Sequence, residues 1–354
     1  MKQVGIILVN YQDYAQKFLD ACRDSLRAQD YPADRIRIYI VDNAATPESG
    51  AFLRAHYPEA VVLPRPNGNY TAANNLGFRQ AVTDGCEYVV MANLDTEMAP
   101  AWLSELVRAL DENPTAAIAQ SKILLYPKNA AEKERPKINS LGNIIHFLGF
   151  GFTSAYGEPD REIAGYPEIK GYASGCSFII RPEVFQKVGG YDEEYYMYHD
   201  DLELGLKVRL AGYRIILAPR SVIFHKYEFS RSVGMLYYME RNRYLTMLSF
   251  YPHYLLILIS LPALLLDLGM LIYSALRRWL RTEQHVYGYF LRFTTCERIV
   301  VARRQLKKLR TVPFSALARD FAGRIEFQEI ANPILSYLVN PLLAAYWWAV
   351  KKII

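Results

Sequence analysis

Val4-Gly5-Ile6-Ile7-Leu8-Val9-Asn10-Tyr11-Gln12-Asp13-Tyr14 is the stretch whose reading decides the fold. Its first six residues make a short apolar run, suited to a strand buried on both faces. The loop that follows has no glycine-rich turn to seat a pyrophosphate at a helix N-terminus, and no GxxxxGK[ST] occurs anywhere in the chain. Dinucleotide-binding oxidoreductases and P-loop phosphotransferases are therefore excluded.

Outward from this strand the pattern alternates. Phe18, Leu19, Cys22 and Leu26 lie at helical spacing between about Tyr14 and Gln29, and Tyr31-Pro32 ends that helix. A second strand, Ile36 to Val41, runs into Asp42-Asn43. Further strands are predicted at Ala60–Leu63 and Tyr88–Ala92, with a helix from about Thr71 to Thr83 between them. The expectation is an α/β domain with a doubly wound, mostly parallel sheet, whose ligands sit beyond the carboxyl ends of the strands.

The chain has 354 residues, 51% of them hydrophobic, enough for one α/β domain and an appendage. Its charge is uneven. Residues 1–226 carry 24 basic against 28 acidic side chains, net −4, and residues 227–354 carry 17 against 8, net +9, giving the +5 of the whole. Such asymmetry predicts different surroundings for the two parts. Cys22, Cys86, Cys176 and Cys296 form no CxxC pair, which favours a reducing compartment over a disulfide framework or zinc site. Met1 leads almost directly into the first strand, without the pattern of a secretory signal. The polar stretch 128–168 reads as irregular loops. A helix is predicted from about Asp200 to Leu210. Tyr254 to Leu276 is almost wholly apolar, Arg277 to Arg324 is basic, and a second apolar helix covers about Pro333 to Val350. These shifts divide the chain into residues 1–245 and residues 246–354.

Five places can carry chemistry. Asp42 ends a strand, where a carboxylate can accept from a base N–H or a ribose hydroxyl; it also fits a plain turn or cap. In Met91-Ala92-Asn93-Leu94-Asp95-Thr96 an apolar strand ends in alternating polar side chains. If the strand stays extended, Asn93 and Asp95 project to one side and can offer oxygens to one hard cation. Asp200 and Asp201, after Tyr198-His199, open a helix, whose N-terminus helps keep a carboxylate ionised as a base; capping alone also accounts for Asp200. His225 ends an apolar run and gains meaning as a ligand beside a metal held at Asp95. Glu240-Arg241-Asn242-Arg243 reads either as a solvated helical face or as a guanidinium pair for a pyrophosphate.

The order of these features resembles the inverting family 2 glycosyltransferases with a GT-A fold, within them the rhamnosyltransferase-like branch. Val9-Asn10-Tyr11, Val41-Asp42-Asn43, Asn67-Gly68-Asn69-Tyr70 through Asn74-Asn75-Leu76-Gly77, and Asn93-Leu94-Asp95-Thr96 carry the first part of the resemblance. Gly171-Tyr172-Ala173-Ser174-Gly175-Cys176, Arg181-Pro182-Glu183-Val184-Phe185, Val188-Gly189-Gly190-Tyr191-Asp192-Glu193, Tyr198-His199-Asp200-Asp201, His225 and Glu240-Arg241-Asn242-Arg243 complete it over about residues 4–250.

The resemblance implies donor contacts at Asn10, Tyr11, Asp42, Asn69, Asn74, Asn93 and Asp95. It implies Mg²⁺ or Mn²⁺ on Asp95, Asn93 and His225, and a general base at Asp201 beside Asp200. It places Gly175, Cys176, Arg241 and Arg243 toward the acceptor or diphosphate. Two departures from the family pattern stand out: Asn93 replaces the first acid of its D-x-D, and Asp200 replaces the Glu of its Glu-Asp pair. The donor implied is a dTDP- or UDP-linked sugar, rhamnose first. The acceptor implied is a glycan or a polyprenyl-diphosphate lipid, in cell-envelope polysaccharide synthesis; nucleic acid is not a partner.

Tyr254–Leu276 is long enough to cross a bilayer, but Pro262 and Asp267 lie within it and the basic segment follows it. A re-entrant or interfacial hairpin at the cytoplasmic membrane face is therefore expected, with the basic segment on anionic headgroups. The competing readings are a non-catalytic sugar- or lipid-binding protein on a degenerate transferase fold, which Asn93 favours, and a nucleotidyltransferase, which should carry a Gly/Arg-rich loop after the first strand.

Overall fold

The computed structural model describes residues 1–226, 236–276, 279–326 and 332–354. The chain divides into two compact units: Met1–Asn143, Thr153–Val208 and Tyr213–Tyr227 form the first, and Ile144–Phe152, Arg209–Gly212 and Glu228–Ile354 the second.

The first unit is built on β1 (Val4–Asn10), β2 (Ile36–Asn43), β3 (Val61–Arg65), β4 (Tyr88–Ala92), β5 (Thr96–Met98), β6 (Ala116–Leu125) and β7 (Ile138–Ser140). The short strands β8 (Asn143–Ile145) and β9 (Gly151–Thr153) pair with each other, and β10 (Ser177–Ile180) and β11 (Arg214–His225) return to the main sheet. The main order is β3-β2-β1-β4-β10-β6-β11-β5, with β7 on β6. The β3-β2-β1-β4 half is parallel throughout, as βαβ crossovers require. β10 runs antiparallel between β4 and β6, and β11 is parallel to β6.

Helices α1 (Tyr14–Arg27), α2 (Pro47–His56), α3 (Tyr70–Thr83) and α4 (Trp102–Glu112) cover this sheet. The apolar stripe read for the first helix is its buried face: Leu19, Cys22 and Leu26 join Ile40, Trp102 and Leu106 in the core. α3 lies unusually close to β1. A Cβ on Gly77 would stand 2.7 Å from Ile7 Cγ2, and one on Gly5 would stand 2.8 Å from Ala81 Cβ. Helix and strand can meet there only without side chains. Two of these four helices went unread in the sequence. α2 has a capping box, with Thr46 and Ser49 satisfying each other's backbone N–H, and Pro47 at its first turn; α4 buries one face of an amphipathic turn sequence.

The polar stretch 128–168 is more ordered than its composition suggests. It contains α5 (Ala130–Glu134), β7, β8 and β9. Ile138, Ile145, Phe147, Phe150 and Phe152 are buried within it, too widely scattered to register as periodicity.

Beyond α6 (Pro182–Lys187) and α7 (Asp200–Leu210), the second unit contains α8 (Leu236–Phe250), α9 (His253–Leu276), α10 (Leu280–Phe290), α11 (Phe293–Leu309), α12 (Phe314–Ala318) and α13 (Asn340–Val350). The predicted helix from Pro333 winds as a π-turn over Leu335–Val339 before α13 begins. Phe147 stacks on Trp347 at 4.8 Å. α9 has 24 residues, with a mean hydropathy of 2.5 over its most apolar 18-residue stretch, and among the described residues it is the one helix long and apolar enough to cross a membrane. Ile257, Leu261, Leu264 and Leu265 are exposed on it. Asp267, the acid inside this apolar run, is matched by Arg243 at 3.3 Å and by the Tyr244 hydroxyl. Residues 277 and 278, at the start of the expected basic segment, lie outside the described residues.

Candidate active site

The first unit gathers its polar residues at the carboxyl ends of β1, β2 and β4, where parallel strands leave their last side chains without further strand partners. Register puts Asn10 opposite Asp42. Asn10 Nδ2 donates to Asp42 Oδ1 at 2.8 Å, and Asn10 Oδ1 accepts from Ala15 N. The Ser49 hydroxyl, part of the α2 cap, donates to Asp42 Oδ2 at 2.5 Å. Asp42 is thus buried, with one hydrogen bond on each carboxylate oxygen. Tyr11 is exposed at the same strand end.

Asn93 and Asp95 do not continue β4. The strand stops at Ala92, and Asn93-Leu94-Asp95 form a turn, closed where the Thr96 hydroxyl donates to the Asn93 carbonyl. The two side chains consequently have separate partners. Asn93 Oδ1 accepts from the Tyr70 hydroxyl at 3.1 Å, while Asp95 Oδ2 accepts from the Tyr14 hydroxyl.

Asp95 Oδ1 is buried and accepts no hydrogen bond from the described residues. Facing it, at 3.5 Å, is Nε2 of His225, which β11 delivers to the same place; this distance lies outside good hydrogen-bond geometry. The other ring nitrogen, Nδ1, is 3.0 Å from Asn139 Oδ1, so Nε2 is left to face the carboxylate. Burial pushes the imidazole pKa down, but Cys176 and Asp95 outweigh it and raise the value to about 10. Burial likewise opposes ionisation of Asp95, and His225 and Tyr14 reverse the sign, leaving it below the ordinary carboxylate range. An orphaned carboxylate oxygen facing an imidazole nitrogen fits a divalent cation. Among the described residues no group of three or more His, Cys, Asp or Glu converges, so protein atoms fill only part of such a coordination shell.

The second acidic centre is tied to this turn through residues 174–176. Asn93 N donates to Cys176 O at 3.0 Å, and Gly175 N donates to Asp201 Oδ2 at 3.2 Å. Asp201 Oδ1 accepts from Leu202 N at 2.8 Å, in the first turn of α7. Asp200 is buried, whereas Asp201 keeps part of its surface open. Burial and the Asp201 charge raise the pKa of Asp200; burial also raises that of Asp201, against the backbone N–H groups of Gly175 and Leu202. Neighbouring carboxylates that repel in this way favour one proton between them.

The segment before α7 aims the pair. Tyr196, Tyr198 and His199 all have positive φ, near +60°, a costly conformation for side chains of this size. The Tyr196 carbonyl accepts from Tyr70 N and Thr71 N, which anchors this segment to the start of α3. Asn69 caps that helix: its Oδ1 accepts from Ala72 N and the Thr71 hydroxyl, and its Nδ2 donates to Glu193 O. Asn74 donates to Tyr70 O. Both residues, expected as donor contacts, hold the frame.

Arg241 and Arg243 belong to the second unit and lie neither on a solvated face nor in an open anion cradle. Arg243 is fully buried; it pairs with Glu240 at 2.8 Å, donates to Leu148 O and packs over Phe150 and Tyr244. Arg241 lies among Tyr237, Tyr238 and Tyr289. A diphosphate could reach either guanidinium only after these contacts opened.

Tyr14, Tyr70, Asn139 and Tyr196 are the site residues that sequence reasoning missed. Tyr14 ends the first stretch quoted above and Tyr70 ends the Asn67-Gly68-Asn69-Tyr70 motif, whereas Asn139 and Tyr196 lay in neither.

Comparison with known proteins agrees with this architecture. The chain is 29% identical over 236 residues to the O-antigen biosynthesis protein RfbC of Myxococcus xanthus, covering 64% of this chain and 17% of that protein. It is 27% identical over 206 residues to an N-acetylglucosaminyl-diphospho-decaprenol L-rhamnosyltransferase of Mycobacterium tuberculosis, covering 54% of this chain and 66% of the relative. The chain thus spans less than two thirds of either relative's length. In fold it is similar to GalNAc-T7, solved with UDP, GalNAc and Mn²⁺, at a TM-score of 0.55 and 12% identity, over 72% of this chain and 49% of that one. The profile of glycosyl transferase family 2 matches residues 5–189, more than half of the sequence, and the chain belongs to that family.

Proposed function

We propose that this chain is an inverting, metal-dependent glycosyltransferase. It moves a sugar, rhamnose by relationship, from a dTDP- or UDP-linked donor to a lipid-linked or glycan acceptor in cell-envelope polysaccharide synthesis. The observation that carries the reading is the junction at residues 174–176, which ties the turn of Asn93 and Asp95, facing His225, to Asp201 within the first unit.

In this reading Asp201, partly open and held by two backbone N–H groups, accepts the proton of the acceptor hydroxyl. The hydroxyl oxygen bonds to the anomeric carbon as the nucleoside diphosphate departs with the electron pair, and the configuration inverts. Asp200 keeps the shared proton, so that Asp201 carries the charge. Asp95 and His225, with Asn93 on the same turn, would hold Mg²⁺ or Mn²⁺, which would supply counter-charge to the leaving diphosphate. Asn10, Tyr11 and Asp42 border the donor, and Asn69 and Asn74 support that border from α3. Gly175 has no side chain between Asp201 and the acceptor, and Cys176 backs it. Arg241 and Arg243 have no direct part, because their own contacts enclose them.

Residues 1–245 form the catalytic domain in this proposal. Residues 246–354 associate with the cytoplasmic membrane face, because the exposed side of α9 offers a bilayer the apolar surface that water disfavours. A lipid-linked acceptor, as the mycobacterial relative's name describes for that protein, suits such an attachment.

The deciding experiment is calorimetric binding of UDP, dTDP and GDP to detergent-purified protein, with Mn²⁺ or with chelator, on wild type and Asp95→Asn. Metal-dependent binding of one nucleotide, weakened in the variant, is the expected result. Absence of binding by all three would reject the reading.

A further inference from the structure

A second charged feature lies in the second unit, on α11. Arg303 and Lys307 stand at i and i+4 and share a helical face, Arg304 flanks them, and Arg310 follows as the C-cap of the helix. All four line one cavity of about 570 Å³, whose apolar floor includes Phe250 and Phe314. Among the described residues no carboxylate lines it. Arg303 is fixed by donating to Leu248 O at 2.5 Å, and burial holds its pKa below the ordinary value. Four cations over an apolar floor, with no acid among the lining residues, call for an anion that carries hydrocarbon.

The position narrows the class further. His253, the first residue of α9, also lines the cavity, which therefore sits at one end of the 24-residue apolar helix. Where such a helix lies in or on a bilayer, its end marks the headgroup layer. On α11 itself, Phe293, Val300 and Val301 are exposed beside the cations, so that helix presents apolar side chains and positive charge together.

We propose that this cavity is a binding site for the phosphate headgroup of an anionic glycerophospholipid, with the upper part of an acyl chain over Phe250 and Phe314. The proposal rests on the membrane reading above. It differs from general attraction of a basic segment to a negative surface, because it assigns the effect to one set of residues.

The test is flotation of the full chain with vesicles of phosphatidylcholine alone or mixed with phosphatidylglycerol, together with native mass spectrometry of protein released from mild detergent. Two triple variants remove equal charge: Arg304→Gln, Lys307→Gln and Arg310→Gln in the cavity, and Arg281→Gln, Lys308→Gln and Lys352→Gln away from it. All six side chains are exposed, so both variants should fold. At about 1 kcal/mol per cation, the cavity triple should lose roughly a hundredfold in partition to the mixed vesicles, and its spectrum should lose a single bound phospholipid. The outer triple should bind much nearer to wild type and retain that lipid. Equal losses in the two variants, or an unchanged cavity triple, would overturn the site while leaving membrane attachment standing. Wild-type protein that floats with neither vesicle would overturn the attachment and the site together, without touching the nucleotide result.

Discussion

Asp201→Asn isolates the chemistry assigned to one carboxylate. The side chain keeps its size, but an amide has one acceptor oxygen where the carboxylate has two. Either Gly175 N, at 3.2 Å, or Leu202 N, at 2.8 Å, then faces an NH₂ group. The longer bond is the weaker, so the amide oxygen should stay with Leu202 and the contact to Gly175 should be lost. That costs about 0.5–1.5 kcal/mol, and relief of repulsion with Asp200 acts in the opposite direction. At about 2–4 °C per kcal/mol for a domain of this size, the unfolding temperature should move by a few degrees at most. The rate should respond far more. Removing a general base costs about a hundred- to ten-thousandfold, equivalent to about 3–5 kcal/mol on the barrier. The assay is initial-rate sugar transfer at saturating donor and metal, with donor binding measured in parallel. pH gives a second readout. The working form of Asp201 is ionised, and burial raises its pKa, so wild-type turnover should fall as pH drops through a value above the ordinary carboxylate range. The variant should lack that acid limb. An Asn variant that binds donor normally and keeps more than about a tenth of the wild-type rate would refute the assignment, since a positioned base is worth at least about a hundredfold.

Two further outcomes test the frame around this residue. Asp200→Asn should remove a pH dependence of stability. A buried acid with a raised folded-state pKa binds its proton more tightly than in the unfolded chain, so wild-type stability should decline as pH rises from about 3.9 to that raised value; urea midpoints that follow the same pH curve in both proteins would contradict this. Gly77→Ala should destabilise the first unit by about 1–3 kcal/mol, because the new methyl would stand 2.7 Å from Ile7 Cγ2; an unchanged unfolding midpoint would show that α3 can move away from β1 freely.

The residues that were legible in the sequence and those that were not differ in a physical way. Asn10, Asp42, Asp95 and His225 each sit at or just past a strand end, and strand ends can be read from where an apolar run stops. Parallel register then sets Asn10 opposite Asp42, and the antiparallel pairing of β11 with β5 sets His225 beside the turn of Asp95. Tyr14, Tyr70 and Asn139 act through hydroxyl or amide contacts that exist only after helices and strands have packed, and a tyrosine at a helix start carries no local signature of its eventual partner. The capping role of Asn69 went unread for a related reason: the motif around it drew attention toward ligand contact, although an Asn before a helix caps it by default. The solvated-face reading of Arg241 and Arg243 fails because charge in a sequence suggests solvent, whereas Glu240, Asp267 and five aromatic rings enclose these two.

The least legible element is Tyr196-Met197-Tyr198-His199. Nothing in it is a turn former, yet three of its four residues take positive φ. Such a conformation persists only when the surroundings over-determine it. Here the Tyr196 carbonyl is held by two N–H groups of the α3 start, and Asp201, at the other end of the segment, is held by Gly175 and Leu202. Tyr70, which supplies one of those N–H groups, also donates its hydroxyl to Asn93. The strained segment is therefore pinned at both ends to the turns that carry Asn93, Asp95 and Gly175. Local preference is overridden where the acid pair must keep a fixed distance from the Asp95–His225 pair, and a sequence scan weighted by local preference cannot find it.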